Sequence, residues 1–539
     1  MAKPKTPNQK RKYGELNKRL AKYVMLVESI YEDLNLEAAK IVGITDFTID
    51  SDSPFMWSDY PQTRKRIRDL QERFVEDIGS VIYSGTSEEW KNSNEVQDLL
   101  ANKVLQTYGA TIGKEKYEIL YQPNNDALKA FQQRKDKGFT ISDKLWNQST
   151  LYKQELEEAI SCAIQKGTSA ITLSKQISKY LLDFPQLQKD YKERFGKASR
   201  AMDCEYRSIR LAASEINMAY RQAENLRWQQ MDFVVGYEIK LSNNHTCNGK
   251  PFQDICDILA GKYPKDFQWT SWHPLCRCYK IPILKTEEEF WEWDGRNEAT
   301  TASVNEVKDV PDAFKKWVLD NQERISTAKK RNTLPYFLRD NKSVYQKITV
   351  ESSISEIVKR ASSVGDEVQS IAERIAIKNG GYVTPINFKS TTSITRKVIT
   401  EGITPYDIKD AVRTTIIVPK SRIEDVLEEL YKTEGFLRLK RQKPESFMGY
   451  SGNIVNIRTT NGLTAEIQVN TERMIFAKER PEDAKRILGK KRWEEIHNET
   501  GMEGGLGHKY YEQWRILDKS SNEALKIVEK SIEYYSHFR

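Results

Sequence analysis

The 539-residue sequence contains no run of about eighteen apolar residues, so no membrane-spanning helix is expected from it. Its first residues, Met-Ala-Lys-Pro-Lys-Thr-Pro-Asn, lack the apolar stretch of a secretion signal. The expectation is a protein made and kept in the cytoplasm, with reduced cysteines. There is no internal repeat and no long low-complexity tract. Histidine and cysteine are scarce, at five and six residues. Apolar residues at 38% are enough for real cores, although 30% charged residues make the chain very polar. At roughly 100–200 residues per domain, about two to four domains are expected.

The net charge of +8 is modest and unevenly placed. Residues 1–20 carry seven Lys or Arg and one acid. They read as a flexible basic arm, either simply solvated or able to touch DNA or an acidic partner.

Apolar residues at three- and four-residue spacing predict helices over 14–40, 62–105, 144–182 and 198–231. The β-rich stretch Phe233–Leu241 predicts a strand, and Tyr279–Leu284 a second. The small polar residues of 297–305 read as a linker. Helical signals over 311–345 break at Asn332–Pro335. Beyond 351 the signals alternate: a helix Ser353–Lys378, a strand Ala411–Val418, a helix Ser421–Thr433, and strands Asn453–Thr459 and Thr464–Asn470 around an Asn461-Gly462 turn. A last helix starts near Asn522.

Four of the six cysteines, Cys247, Cys256, Cys276 and Cys278, fall in one short stretch with His245 and His273. In a reduced chain such crowding points to metal more than to disulfides. Zinc takes four N or S ligands, which the four thiols could supply with a histidine as substitute. The alternative is a loop-rich knot of buried thiols. The strand, His245-Thr-Cys247, the Ile255–Gly261 segment and Trp272-His-Pro-Leu-Cys-Arg-Cys278 together resemble the end of a Mu F-like phage head morphogenesis domain. This resemblance covers roughly residues 20–340. It implies a minor head component beside portal and capsid proteins, sometimes with a toxin at its C-terminal end.

Four later blocks follow one another. Lys389 and Ser390 stand before a predicted helix that contains Arg396 and Lys397, a place suited to polyphosphate. Asp410 and Arg413 stand at a strand start, where a carboxylate can hold Mg²⁺ and an arginine reach phosphate. Tyr450 lies in Gly449-Tyr-Ser-Gly452, able to stack on a base, and Glu466 and Gln468 share one face of a strand. His508 and Arg515 lie in Gly507-His-Lys-Tyr-Tyr-Glu-Gln-Trp-Arg515. Singly, each block also reads as capping or surface charge.

In this order, over about 351–520, the blocks resemble the RelA/SpoT synthetase family. The resemblance implies transfer of pyrophosphate from ATP to a ribose hydroxyl of a nucleotide or a tRNA end. It implies that Lys389 and Arg413 bind ATP phosphates, that Asp410 and Glu466 hold Mg²⁺, that Glu466 activates the hydroxyl, that Tyr450 stacks on the acceptor base, and that His508 lies near the phosphates. Ser390, Arg396, Lys397, Gln468 and Arg515 complete the nucleotide site. Two positions depart from the family: Asn387 where an Arg is usual, and Ile408 where the Asp is usual, leaving Asp407 or Asp410 as the acid. No histidine is followed by Asp, so no alarmone hydrolase domain is expected. Synthesis without hydrolysis suits a toxin.

The expected architecture is multi-domain α+β. It has the arm at 1–20, a mostly helical head-protein domain with a small Cys/His β region at 21–296, a linker and helical extension at 297–350, and an α/β nucleotidyltransferase-like domain with a mixed sheet at 351–539. The rival expectation is a capsid-associated protein whose last domain kept the fold and lost catalysis.

Overall fold

A computed structural model describes residues 6–45, 53–109, 112–163, 169–242, 246–247, 250–251, 253–292, 303–443 and 447–539. The chain divides into two compact units, Met1–Tyr345 and Gln346–Arg539. No helix among the described residues is long and apolar enough to cross a membrane.

The first unit is built on long helices, Gln9–Val42, Arg64–Tyr108, Ile141–Ala163 and Cys204–Gln230. Their apolar stripes meet in a core that includes Tyr31, Leu34, Phe74, Ile78, Tyr152 and Ile160. Residues 9–20, expected in a flexible arm, are instead the first turns of a helix capped by the Asn8 side chain. Tyr13 and Leu16 explain the difference. Both are buried, and the Tyr13 hydroxyl donates to Glu224 Oε2 at 2.6 Å. Lys10, Arg11 and Lys18 ride on the outer side of this anchored helix, while Arg19 turns in to the buried Glu89 at 2.6 Å.

The predicted 144–182 helix is two helices, Ile141–Ala163 and Ala170–Leu182. A third helix, Phe184–Phe195, follows, begun by the Asp183 cap and Pro185 and ended at the left-handed Gly196. The β region is a three-stranded antiparallel sheet, Gly261–Tyr263, Val234–Lys240 and Tyr279–Leu284, in that order across the sheet. A small ladder pairs Thr246–Cys247 with Lys250–Pro251. The stretch from 303 to 345 buries Phe314, Val318, Phe337 and Leu338, and the Phe314 and Phe337 rings lie 5.4 and 5.1 Å from those of Phe267 and Trp272.

The second unit has a six-stranded mixed sheet. Its strands are β1 (Tyr382–Val383), β2 (Asn387–Phe388), β3 (Val412–Ile417), β4 (Phe436–Gln442), β5 (Gly452–Arg458) and β6 (Thr464–Asn470). Across the sheet the order is β1, β3, β6, β5, β4, with β2 also on β3. Only β3 and β6 run parallel. The β5–β6 hairpin closes as its sequence predicts, with Gly462 at φ +79° and its N–H donating to Thr459 O at 2.8 Å.

Side chains alternate along β6. Ala465, Ile467 and Val469 enter the apolar core with Val412, Ile416, Val455 and Ile457, under the helices Gly365–Lys378 and Ile423–Tyr431. Each buried Ile or Val contributes about 1.5–3 kcal/mol. A one-residue slip would turn this set outward, so the register, and the face that Glu466 occupies, is strongly fixed. The predicted 353–378 helix is two helices, Lys342–Ser363 and Gly365–Lys378, broken at Val364.

Candidate active site

The other face of the sheet is polar. Residues paired across neighbouring strands share a face, so the register collects the set: Arg413 pairs with Glu466, Glu466 with Asn456, and Asn456 with Arg438. One step along, Thr415, Gln468, Ile454 and Lys440 line up in the same way. A solvated hairpin face would leave these polar side chains exposed. Instead β6 is interior, and Glu466, Gln468, Asn470 and Asn456 are all buried. Burying such a row costs free energy unless its groups are bonded, and most of the row is wired together, although Asn470 Oδ1 is buried without a partner among the described residues. Gln468 Nε2 donates to Glu466 Oε1 at 2.6 Å, and Lys478 Nζ donates to Gln468 Oε1 at 2.8 Å. Arg438 Nε donates to Asn456 Oδ1 at 2.7 Å.

At the start of β3, Lys389 and Lys397 converge on one carboxylate. Lys389 Nζ lies 2.6 Å from Asp410 Oδ2 and Lys397 Nζ 3.0 Å from Oδ1. Local folding explains the convergence. The Lys389 N–H donates to Ala411 O, and Ser390 caps the helix Thr391–Glu401 that carries Lys397. Burial would raise the Asp410 carboxyl, but the two ammonium groups outweigh it and hold the group below its ordinary value of 3.8. A carboxylate depressed in this way stabilises the fold above the ordinary value, and that contribution is lost as the pH falls below it. Acid titration of melting should therefore show a steeper loss for the wild type than for Asp410→Asn below about pH 4. Parallel curves would mean that the carboxylate gains nothing from its lysines.

Of the two acids left open by the sequence, Asp407 is occupied in capping: its Oδ2 accepts from Thr404 N at 3.1 Å and Thr404 Oγ1 at 2.8 Å. Ile408 is part of the core. That leaves Asp410 as the acid facing the basic groups.

The Arg413 side chain is exposed and makes no hydrogen bond or ion pair among the described residues. Tyr450 is half-buried, its hydroxyl accepting from Asn470 Nδ2 at 2.7 Å, with Lys478 Nζ 5.5 Å from the ring centre and Tyr535 edge-on. His508 lies in the first turn of the helix Leu506–Arg515 just after left-handed Gly505, and its Nε2 is buried with no hydrogen-bond partner among the described residues. Gly507 is required there, because a Cβ would lie 2.1 Å from the Tyr535 hydroxyl.

Two predicted residues stand apart. Arg396 is exposed beside Thr392 and Ile399 in a shallow groove. Arg515 is paired with Glu512 on its own helix at 2.7 Å.

The sequence reading missed Arg438, Lys440, Asn456, Lys478 and Glu479. Burial would raise the Glu479 carboxyl, but Lys478, Arg413 and His508 hold it below its ordinary range, which places this acid among the basic groups. Its Oε1 lies 3.1 Å from Lys478 Nζ. A cavity of about 740 Å³ opens at the far ends of β3 and β6, lined by Lys420, Asn453, Asn470, Arg473 and Arg492 among others. None of the predicted site residues lines it.

The first unit's cysteines also come together. Cys256, Cys276 and Cys278 offer sulfur atoms within 4.8 Å of one another, and Asp254, Cys256 and His273 form a second such group. His245 lies outside the described residues, and of Cys247 only the backbone is described.

No family model matches the chain. The (p)ppApp synthetase toxin Tas1 of Pseudomonas aeruginosa (strain UCBPP-PA14) is 36% identical over 181 residues, 33% of this chain. The chain spans 41% of that relative's length. Among solved structures, the complex between the Type VI effector Tas1 and its immunity protein matches at 35% identity, over 35% of this chain and 97% of that one, with a TM-score of 0.33. The small alarmone synthetase 1 from Bacillus subtilis matches at 15% identity, over 34% of this chain and 92% of that one, with a TM-score of 0.22. The length matched in Tas1 is close to that of the second unit, where the four motif blocks lie. Over about a third of its length the chain is thus similar to a (p)ppApp synthetase toxin.

Proposed function

We propose that the second unit transfers pyrophosphate from ATP to a ribose hydroxyl of an adenosine nucleotide and acts as a toxin. The observation that carries the reading is the buried Glu466–Gln468–Lys478 chain beside the free Arg413, on a sheet face that is otherwise costly to keep polar. The 36% identity to a (p)ppApp synthetase toxin supports both the reaction class and the choice of acceptor.

The chemistry follows from the charges. The acceptor oxygen bonds to the β-phosphorus of ATP, the bond from that phosphorus to the α–β bridging oxygen breaks, AMP leaves, and the hydroxyl proton goes to Glu466. Arg413, Lys389 and Lys397 hold the phosphates, with Lys389 and Lys397 exchanging Asp410 for phosphate oxygens. Tyr450 offers a ring to the acceptor base, and the unpaired His508 Nε2 is a further contact for a phosphate oxygen. Asp410 and Glu466 are hard oxygen donors. Both are of the kind Mg²⁺ takes, and Asp410 would bind it once phosphate draws Lys389 and Lys397 away. When bound, the ion would neutralise phosphate charge.

Incubation of the full chain with labelled ATP and ADP, ATP, GDP, GTP or tRNA tests the reading. Labelled pyrophosphate should appear on the adenosine nucleotides. Transfer to guanosine nucleotides alone would overturn the acceptor, and no transfer to any acceptor would favour a fold that has lost catalysis. An immunity protein is the proposed partner, as the solved Tas1 complex has one. A phage-head role for the first unit rests on the sequence resemblance alone, whose sharpest motif is the His273–Cys278 run, and the relatives described above do not speak for it.

A further inference from the structure

Cys256, Cys276 and Cys278 are all buried, at 2%, 0% and 1% exposure. Three thiols packed together form no disulfide, and the Cys256–Cys276 sulfur separation is 3.8 Å. Tetrahedral zinc with metal–sulfur bonds of about 2.3 Å has sulfur–sulfur edges of about 3.8 Å. His273 approaches from the side, its Nε2 3.1 Å from Cys256 Sγ and 3.3 Å from Asp254 Oδ2. Its other nitrogen, Nδ1, lies 2.7 Å from Pro274 O, which can only accept. With Nδ1 donating to that carbonyl, Nε2 is the ring nitrogen that faces the thiols and the Asp254 carboxylate. A histidine whose far N–H is held by a backbone carbonyl is also the usual form of a metal ligand.

The surroundings carry the matching charge. Arg221, buried on the helix Cys204–Gln230, donates to Thr270 O, Cys276 O and Cys278 O at 2.7–2.8 Å. Asn217 donates to Cys276 O at 2.9 Å. A zinc ion with three thiolates and a neutral imidazole has a net charge of −1, which a buried guanidinium beside it offsets. The chain between Tyr263 and Tyr279 has little regular structure, and Leu275 holds a left-handed φ of +62° just before Cys276. A non-glycine residue keeps that conformation only where its surroundings over-determine it.

We infer that Cys256, Cys276, Cys278 and His273 bind one zinc ion as a closed, structural site in the first unit. Binding releases the three thiol protons, and all four positions on the ion are filled by protein, leaving none for substrate. The site pins the 254–278 segment to the Arg221 helix and is independent of the pyrophosphate reading.

The test is metal analysis and X-ray absorption at the zinc edge on the purified full chain. The expected result is one zinc per chain with three sulfur and one nitrogen neighbours. His273→Ala should stay folded and retain zinc at least about 10-fold more weakly against a chelator. A folded chain without zinc overturns the site. A four-sulfur shell, lost in Cys247→Ser, overturns His273 as the fourth ligand. Because Cys276→Ser can fail to fold, the wild-type absorption spectrum decides the matter without it.

Discussion

Glu466→Gln should cut pyrophosphate transfer by about 10²–10⁴-fold while leaving the melting temperature nearly unchanged. The substitution is almost isosteric. Gln468 Nε2 now donates to Glu466 Oε1, and an amide oxygen in the same place accepts that bond equally well. What an amide cannot do is take the proton of an attacking hydroxyl or hold Mg²⁺ as a carboxylate does. The neighbours argue against a structural effect, because Arg413 in β3 and Asn456 in β5, the residues in register with Glu466, do not rely on its charge. The measurement pairs product formation from labelled ATP with a thermal melt. A folded Glu466→Gln protein with full activity would remove Glu466 from the mechanism.

Arg413→Met should lower kcat/KM by about 10²–10³-fold, the scale expected when one preorganised donor to a charged transition state is lost. The Arg413 side chain is exposed and forms no hydrogen bond or ion pair among the described residues, and Glu479, whose carboxyl it helps hold down, keeps Lys478 at 3.1 Å. Stability should move by less than about 0.5 kcal/mol. Arg413→Lys should recover only part of the loss, since a single ammonium does not match the two-pronged grip of a guanidinium on phosphate. Loss of stability equal to the loss of activity would instead make Arg413 a structural residue.

Sequence signals were clearest where one local rule was decisive. Asn461-Gly462 needs a left-handed residue, and the hairpin closes there. The alternation of Glu466 and Gln468 against Ile467 gave the face on which the site is built. β4 was not legible, because Phe436-Leu-Arg-Leu-Lys-Arg-Gln442 is an edge strand with charged or exposed side chains on both sides, and edge strands carry no clean apolar period. Without β4, Arg438 and Lys440 had no face to belong to. Lys478 and Glu479 were missed for a different reason. They lie at the end of the helix Glu472–Lys478, and only the fold brings that end over β6. The basic segment at 9–20 misled because its charges outnumber Tyr13 and Leu16, whereas burial of those two apolar residues decides its structure.

The wedge of Tyr535 against Gly507 has a bearing on synthesis. Tyr534 also donates to Glu503 O at 2.7 Å, so the turn before His508 is braced by the helix Asn522–Ser536. Tyr535 packs on Tyr450 as well. Two of the four motif blocks thus lean on residues that a ribosome makes after everything else in the site. A nascent chain that has passed Glu466 and His508 holds all the reactive side chains but lacks the strut that sets two of them. The domain's packing is complete only once the helix Asn522–Ser536 has docked, so a chain cut before Asn522 should keep every motif residue and lose the brace on Tyr450 and Gly507.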